Sequence, residues 1–221
     1  MLICGVDDAG RGAVIGPLVV AGVLIDSAKI HLLENLGVKD SKALSPKRRR
    51  ELAEKIIKIA EDYYVVKVEP EEIDRVVKHG KKLNKLNRLE AKVMAEVIRR
   101  LRPTVAYVDA SDVIPERFKN HILEEVPFDV KIVSRHKADV IYPVVSAASI
   151  IAKVERDKAI MELCNRYGEI GSGYSSDSRT RKFLADWLLK HGSYPPFARK
   201  TWKTLRRIRE VTDSGQKKLF G

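Results

Sequence analysis

The apolar run Leu2–Val6, ending at once in Asp7 and Asp8, constrains this 221-residue chain more than any other stretch. An apolar segment of strand length that delivers carboxylates to its C-terminal end is how α/β folds build sites. Gly10, Arg11 and Gly12 follow directly. Glycines let a backbone approach a ligand closely and adopt positive φ, and an arginine pairs with phosphate. Acids suited to a metal and a cationic loop suited to a phosphodiester therefore stand within six residues. Taken alone, the same residues also read as a turn followed by a helix cap.

The rest of the chain extends this start into an α/β pattern. Pro17 to Ile25 is rich in Val, Leu and Ile and is expected to pair with the first strand. Ser45-Pro46 reads as an N-cap with proline at the first helical position, and Leu52, Ile56 and Ile59 give a helix over 46–61. A strand at 63–68, a short helix at 70–78 and a helical stripe from Leu86 to Leu101 follow. Val105 to Val108 is a second buried strand that ends in an acid, Asp109. A helix at 115–124, a strand at 130–133 and a long helix from 142 or 143 to 166 come next. That last helix opens on small residues (Ser146, Ala147, Ala148, Ser149, Ala152), which predicts close packing there. Gly168 to Ser178 is a glycine- and serine-rich loop, and helices are expected at 179–190 and 197–211, with Arg199, Lys203 and Arg206 on an outer face. The expected architecture is an α/β mixed β-sheet flanked by helices. Residues 1–166 would form its core, 167–211 a basic helical segment and 212–221 a flexible tail.

The formal net charge is +12, and residues 179–221 hold 12 basic against 3 acidic side chains. A basic surface of this kind points to a polyanionic partner, nucleic acid before membrane. The longest apolar run, Ala13 to Ile25, is too short for a membrane span and is broken by Gly16, Pro17 and Gly22. Cys4 and Cys164 are far apart and read as buried free thiols. With acids only six residues in and no leader pattern, the expectation is a cytoplasmic protein.

Three segments bring acids to comparable places: Asp7 and Asp8, Asp109, and Asp139 before the long helix. Oxygen ligands suit Mg²⁺ and Mn²⁺, and two such ions ~4 Å apart activate a water and stabilise a leaving oxygen. Asp109 and Asp139 also have ordinary readings, as a loop acid and as an acid at a helix start. Lys42 and Lys153 are phosphate-binding candidates, although most lysines are solvated charges. Tyr174, between Gly173 and Ser175, either stacks on a sugar or base or packs on the fold. None of the five histidines has ligand spacing, and His136 is expected to support its loop.

Seven blocks, in order, resemble the ribonuclease HII family in its archaeal form. They are Gly5-Val-Asp-Asp-Ala-Gly-Arg-Gly, Asp40-Ser-Lys42, Tyr107-Val-Asp109, His136-Lys-Ala-Asp139, Ser146-Ala-Ala-Ser-Ile150 with Lys153, Gly171-Ser-Gly-Tyr174, and Trp202-Lys203. The resemblance implies a ribonuclease H-like fold and a metal-dependent endonuclease using Mn²⁺ or Mg²⁺, with two ions in the working complex. Its substrates would be RNA–DNA hybrids and duplex DNA with embedded ribonucleotides. The latter would be nicked on the 5′ side to leave 3′-hydroxyl and 5′-phosphate ends, which implies roles in ribonucleotide excision and DNA replication. The metal-binding acids would be Asp7, Asp8, Asp109 and Asp139. Gly10, Arg11 and Gly12 would sense the 2′-hydroxyl, the handle that separates RNA from DNA. Tyr174 would stack on the deoxyribose after the ribonucleotide. A monomer is expected.

Three departures from that family stand out. Its second acid is glutamate, and here it is Asp8, one methylene shorter. Misplacements on the order of 1 Å can cost about 100-fold, so altered metal preference or a lower rate is expected. Ser175 and Ser178 stand where prolines are usual, which predicts a less rigid tyrosine loop. The tail with Gln216, Leu219 and Phe220 resembles a truncated sliding-clamp-binding motif without its terminal aromatic pair; a basic disordered end is the plain alternative. Two rival functions fit the same residues. A junction resolvase of the same fold would cut all-DNA junctions, and a non-cutting hybrid-binding module would show no metal-stimulated turnover.

Overall fold

β1 (Leu2–Ala9) and β2 (Leu18–Asp26) pair antiparallel, with Gly5 opposite Val23, Asp7 opposite Ala21 and Asp8 opposite Val20. β2 is buried along all but its last residue, so its continuous Val/Leu/Ile character is that of an interior strand covered on both faces. β3 (Asp62–Val68), β4 (Val105–Asp109) and β5 (Lys131–Arg135) complete a five-stranded sheet in the order β3-β2-β1-β4-β5. β4 runs parallel to β1, with Val6 beside Val108, and β5 runs parallel to β4, with Asp109 beside Arg135. The sheet is therefore mixed, as the sequence pattern predicted. The structure is a computed structural model and describes residues 1–38, 45–79 and 85–220, with side chains through Ser214.

The helices are α1 (Ile30–Asn35), α2 (Pro46–Ile59), α3 (Pro70–His79), α4 (Lys85–Leu101), α5 (Pro115–Leu123), α6 (Ala138–Ile141), α7 (Pro143–Tyr167), α8 (Ser178–His191) and α9 (Lys203–Phe220). The chain forms two compact units from interleaved segments. One comprises Met1–Ala9, Val19–Lys67 and Lys82–Glu155; the other comprises Gly10–Leu18, Val68–Lys81 and Arg156–Gly221. In the first, the core runs from Ile3, Val19, Val23 and Ile25 on the sheet to Leu52 and Ile56 on α2 and to Val145, Ala148 and Ile151 on α7. Ser45 caps α2 by accepting from Arg48 N–H at 3.3 Å, with Pro46 in the first turn. In the second, Val14, Ile15, Ile160, Leu184, Leu188 and Leu205 are joined by Tyr167, Phe183, Trp187 and Phe197. Tyr167 and Phe197 lie 4.6 Å apart between ring centroids.

The small residues at the start of α7 have a direct cause. A Cβ on Gly5 would overlap the Val144 carbonyl and come within 2.5 Å of Val145 N, so β1 and α7 meet backbone to backbone. Ala147, Ala148 and Ala152 are fully buried at this contact level. The chain just past Asp109 is fixed by the buried Asp112, whose carboxylate accepts from Arg117, from Asn87 Nδ2 at 3.0 Å and from Ile114 N–H at 3.0 Å.

Several boundaries differ from the sequence expectation. Asp7 and Asp8 lie inside β1, because the ladder with β2 continues to Ala9 past the end of the apolar run. A short 3₁₀ turn (Ser27–Lys29) and α1 follow β2, started by Asp26 accepting from Ala28 N–H at 2.9 Å. The last helix begins at Lys203 and not at Phe197, because Pro195 and Pro196 and the turn closed by Trp202 N–H on Arg199 O occupy the preceding stretch. Its backbone then continues to Phe220, and Thr212 and Ser214 turn their hydroxyls back onto the Ile208 and Glu210 carbonyls, so neither competes with the helix. Cys4 is buried and Cys164 only half-buried; both are free. No helix among the described residues is long and apolar enough to cross a membrane.

Gly5→Ala is expected to destabilise the protein by about 3 kcal/mol or more, since the added methyl meets backbone that cannot rotate away. Chemical denaturation would show this as a lower midpoint at unchanged slope.

Candidate active site

The acids of the first unit rise from the sheet. Asp7 is 5% exposed, in the middle of the sheet, while Asp8 and Asp109 are half-buried. Burial first, then the negative charge of Asp8, and then that of Asp109, push the Asp7 carboxyl well above the usual carboxylate range. Two groups pull the other way: the Ser149 hydroxyl, and Asp8 N–H, which donates to Asp7 Oδ1 at 2.7 Å. Lys153 Nζ in turn donates to Ser149 Oγ at 2.8 Å. The lysine singled out from sequence thus reaches Asp7 through one intervening hydroxyl. Ser149 was visible only as one of several small residues; its hydroxyl faces Asp7 because α7 approaches β1 so closely.

Asp109 Oδ1 accepts from Ala138 N–H at 2.9 Å. Lys137, just before it, has φ +55, a conformation that costs energy for a side chain with a Cβ. That turn places Asp139 in the first turn of α6, one residue beyond the amide that holds Asp109. His136 supports this loop as expected, its ring nitrogens within 3.2 Å of the Ala110 and Val113 carbonyls. Lys42 lies outside the described residues.

The Gly10–Leu18 segment belongs to the second unit. Gly10 has φ +86, and a Cβ there would come within 2.8 Å of the Pro17 carbonyl, so the turn requires glycine. Arg11 is half-buried and Gly12 exposed. Val14 and Ile15 N–H both donate to Gly173 O, at 2.8 and 3.1 Å, and Ala13 bridges to Tyr174. The tyrosine loop is braced by Asp177, which accepts from Ser172 N–H at 2.8 Å, and by Thr180 Oγ1, which accepts from Gly173 N–H at 3.0 Å.

Two arginines organise this unit; the sequence pattern put one on the wrong face and left the other, Arg156, unmarked. Arg199, expected on an outer face, is fully buried. Its guanidinium donates twice to Gly16 O, at 3.2 and 3.0 Å, and once to Arg11 O at 2.8 Å, and it stacks 5.2 Å from the Trp202 ring. It lies before α9, so the helical face on which it was placed does not exist. Arg156 is buried beneath Tyr174, 4.2 Å from the ring centroid. A basic residue in a basic segment carries no sequence sign that it serves carbonyls and not phosphates. The side chains of Gln216, Leu219 and Phe220 lie outside the described residues.

The donor set of the first unit suits a hard divalent cation in chemistry and charge: carboxylate oxygens, one of them buried and held in a form that resists ionisation. Among the described residues, no three His, Cys, Asp or Glu side chains stand close enough to hold an ion as they are.

A mixed sheet in this order, with acids on its adjacent central strands β1 and β4, defines an α/β protein of the ribonuclease H-like class. The model of the family described as ribonuclease HII matches residues 4–205. A ribonuclease HII of Thermococcus sibiricus is 50% identical over 212 residues, covering 95% of this chain and 92% of its own. The crystal structure of ribonuclease H2 from Pyrococcus horikoshii superposes with a TM-score of 0.88 at 45% identity, covering 96% of this chain and 99% of that one. The ribonuclease HII in a complex with PCNA from Archaeoglobus fulgidus gives 0.84 at 47% identity, covering 92% and 96%. The chain belongs to the ribonuclease HII family and is a ribonuclease H endonuclease.

The direction of the Asp7 shift carries a stability consequence. A carboxyl whose folded pKa is raised loses stability for the fold as pH climbs through that pKa. In EDTA at neutral pH, Asp7→Asn is therefore expected to melt at a higher temperature than the wild type. The gap should close as the pH is lowered towards the ordinary carboxylate range, about 4. A variant melting below the wild type at both ends would contradict this electrostatic picture.

Proposed function

We propose that this endonuclease is metal-dependent, cutting the RNA strand of RNA–DNA hybrids and nicking duplex DNA on the 5′ side of an embedded ribonucleotide. The products would carry 3′-hydroxyl and 5′-phosphate ends. The observation that carries this reading is the buried Asp7 carboxyl with the charges of Asp8 and Asp109 close enough to oppose its ionisation. Carboxylates gathered against their own repulsion are what a divalent cation relieves.

Asp7, Asp8, Asp109 and Asp139 would hold Mn²⁺ or Mg²⁺, two ions in the working complex. Bound there, the ions supply an activated water and neutralise charge on the leaving oxygen. Lys153, which holds Ser149 Oγ, fixes the hydroxyl that braces Asp7 and carries positive charge for a phosphate. Lys42 has the same proposed phosphate role. The backbone of Gly10 and Gly12 and the Arg11 side chain would read the ribose 2′-hydroxyl. The Tyr174 ring would stack on the following deoxyribose. Exposed Arg181, Lys182, Lys203, Arg206, Arg207 and Arg209 on α8 and α9 would hold the duplex by phosphate contacts that weaken with salt. Functionally, residues 1–166 would cut, 167–211 would hold duplex, and 212–221 would reach a sliding clamp through Gln216, Leu219 and Phe220. The clamp-bound relative from Archaeoglobus fulgidus supports that last role. A monomer working in the cytoplasm suits this set of partners.

The test is cleavage of a DNA duplex carrying one ribonucleotide, with Mn²⁺, Mg²⁺ or EDTA, beside its all-DNA twin. A single metal-dependent cut 5′ of the ribonucleotide, absent from the twin, is expected. Tight salt-sensitive binding without cleavage in either metal would replace the reading with a binding role, and cutting of the twin would favour a resolvase. Asp8→Glu restores the missing methylene and is expected to raise the rate, by up to about 100-fold if reach is what limits Asp8.

A further inference from the structure

Arg156 sits where two loops of the second unit converge. Its Nη2 donates to Ser172 O at 2.8 Å, and its guanidinium carbon lies 4.2 Å from the centroid of the Tyr174 ring. The same side chain fills the space that a Cβ on Gly10 would need, with Cδ and Nε each 2.7 Å from that position. A Cβ on Gly173 would come within 3.0 Å of Nη2. Both glycines have positive φ, +86 and +77, so their backbones are turned to admit this arginine. One planar cation therefore touches the Gly10 turn on one side and the tyrosine loop on the other.

If this were only filling space, a charged group would be a poor choice. Arg156 is 4% exposed, and its Nε has no hydrogen-bond partner among the described residues. A buried cation is costly unless paired, and a methionine or leucine would pack at similar volume without that cost. What an apolar side chain cannot do is direct a carbonyl and a ring at once: the guanidinium fork fixes Ser172 O, and its face fixes the plane of Tyr174. The remainder of the frame is already held by hydrogen bonds. Arg199 holds the Arg11 and Gly16 carbonyls, and Gly173 O takes Val14 and Ile15 N–H. The ring of Tyr174 is the part that this backbone lacing leaves to be set by a side chain.

We propose that Arg156 is the positioning residue that joins the Gly10–Gly12 turn to the Tyr174 ring, so that the two act as a single gauge of a ribose followed by a deoxyribose. This rests on the reading of those two elements given under the proposed function. A gauge of fixed spacing favours a ribonucleotide–deoxyribonucleotide junction over uniform RNA. Loosening one end of it erodes that preference specifically, whereas a loss of general stability lowers turnover on both substrates alike.

The test is a double-mutant cycle with Arg156→Met and Tyr174→Ala, using kcat/KM on a duplex with one ribonucleotide divided by kcat/KM on a uniform RNA–DNA hybrid. Each single variant is expected to lower this ratio by about tenfold, the scale of a buried cation–ring contact, and the double variant no further than either single one. Independent effects that multiply in the double variant would overturn the coupling, as would a wild-type ratio in Arg156→Met when Tyr174→Ala lowers it. A wild-type ratio in Tyr174→Ala would instead remove the stacking role of the tyrosine, and the coupling with it. Should Arg156→Met fail to fold, Arg156→Lys keeps stem and charge without the planar fork and is judged in the same cycle by the same ratio.

Discussion

The close approach of α7 to β1 at Gly5 is the contact on which the acidic site depends. With no side chain between them, the strand and the helix backbone meet directly, and the helix brings Ser149 onto Asp7. The same closeness removes water from Asp7, and that burial is the largest cause of its resistance to ionisation. A wider spacing, as any Cβ at position 5 would impose, would give a more stable carboxylate and a weaker demand for a cation. The ionised acid is thus held in a state unfavourable to the fold, a cost that proteins accept at functional sites.

The second unit buries cations where the first buries a carboxyl. Arg199 is inserted among carbonyls of the 11–16 segment, and Arg156 lies between a glycine turn and an aromatic ring. Both belong to the cationic surplus that, from sequence, pointed to nucleic acid. Part of that surplus is therefore internal framework, while Arg181, Lys182, Lys203, Arg206, Arg207 and Arg209 on α8 and α9 stay exposed. A guanidinium offers five donors in a fixed plane, which suits two or three backbone carbonyls as well as it suits a phosphodiester.

Much of the fold was legible because its signals are local. Apolar runs of strand length, the Ser45-Pro46 cap and the stripes at Leu86–Leu101 all depend on neighbours within a few residues, and the structure places strands and helices there. The mixed sheet followed from strands that end in acids and alternate with helices. What could not be read is non-local. That Asp7 and Asp8 sit inside β1 depends on a partner strand, and that Gly10–Leu18 and Val68–Lys81 join a unit with Arg156–Gly221 depends on packing between distant segments. Ser149 had no mark beyond being small, and Arg199 was assigned a helical face because the proline-rich turn before α9 was taken for helix. Among the candidate residues, sequence named the acids of the first unit and the glycine–arginine–glycine turn and tyrosine of the second, but not Ser149 or Arg156, which contact them.

If Asp7 and its neighbouring carboxylates are gathered for a divalent cation, as proposed, Asp7 is needed to bind one. Isothermal titration of Mn²⁺ into the wild-type protein and into Asp7→Asn, in low salt and without nucleic acid, addresses it most directly. Saturable binding to the wild type, lost or severely weakened in a variant that stays folded, is expected. Equal binding by both proteins, or no saturable binding by the wild type, would contradict this.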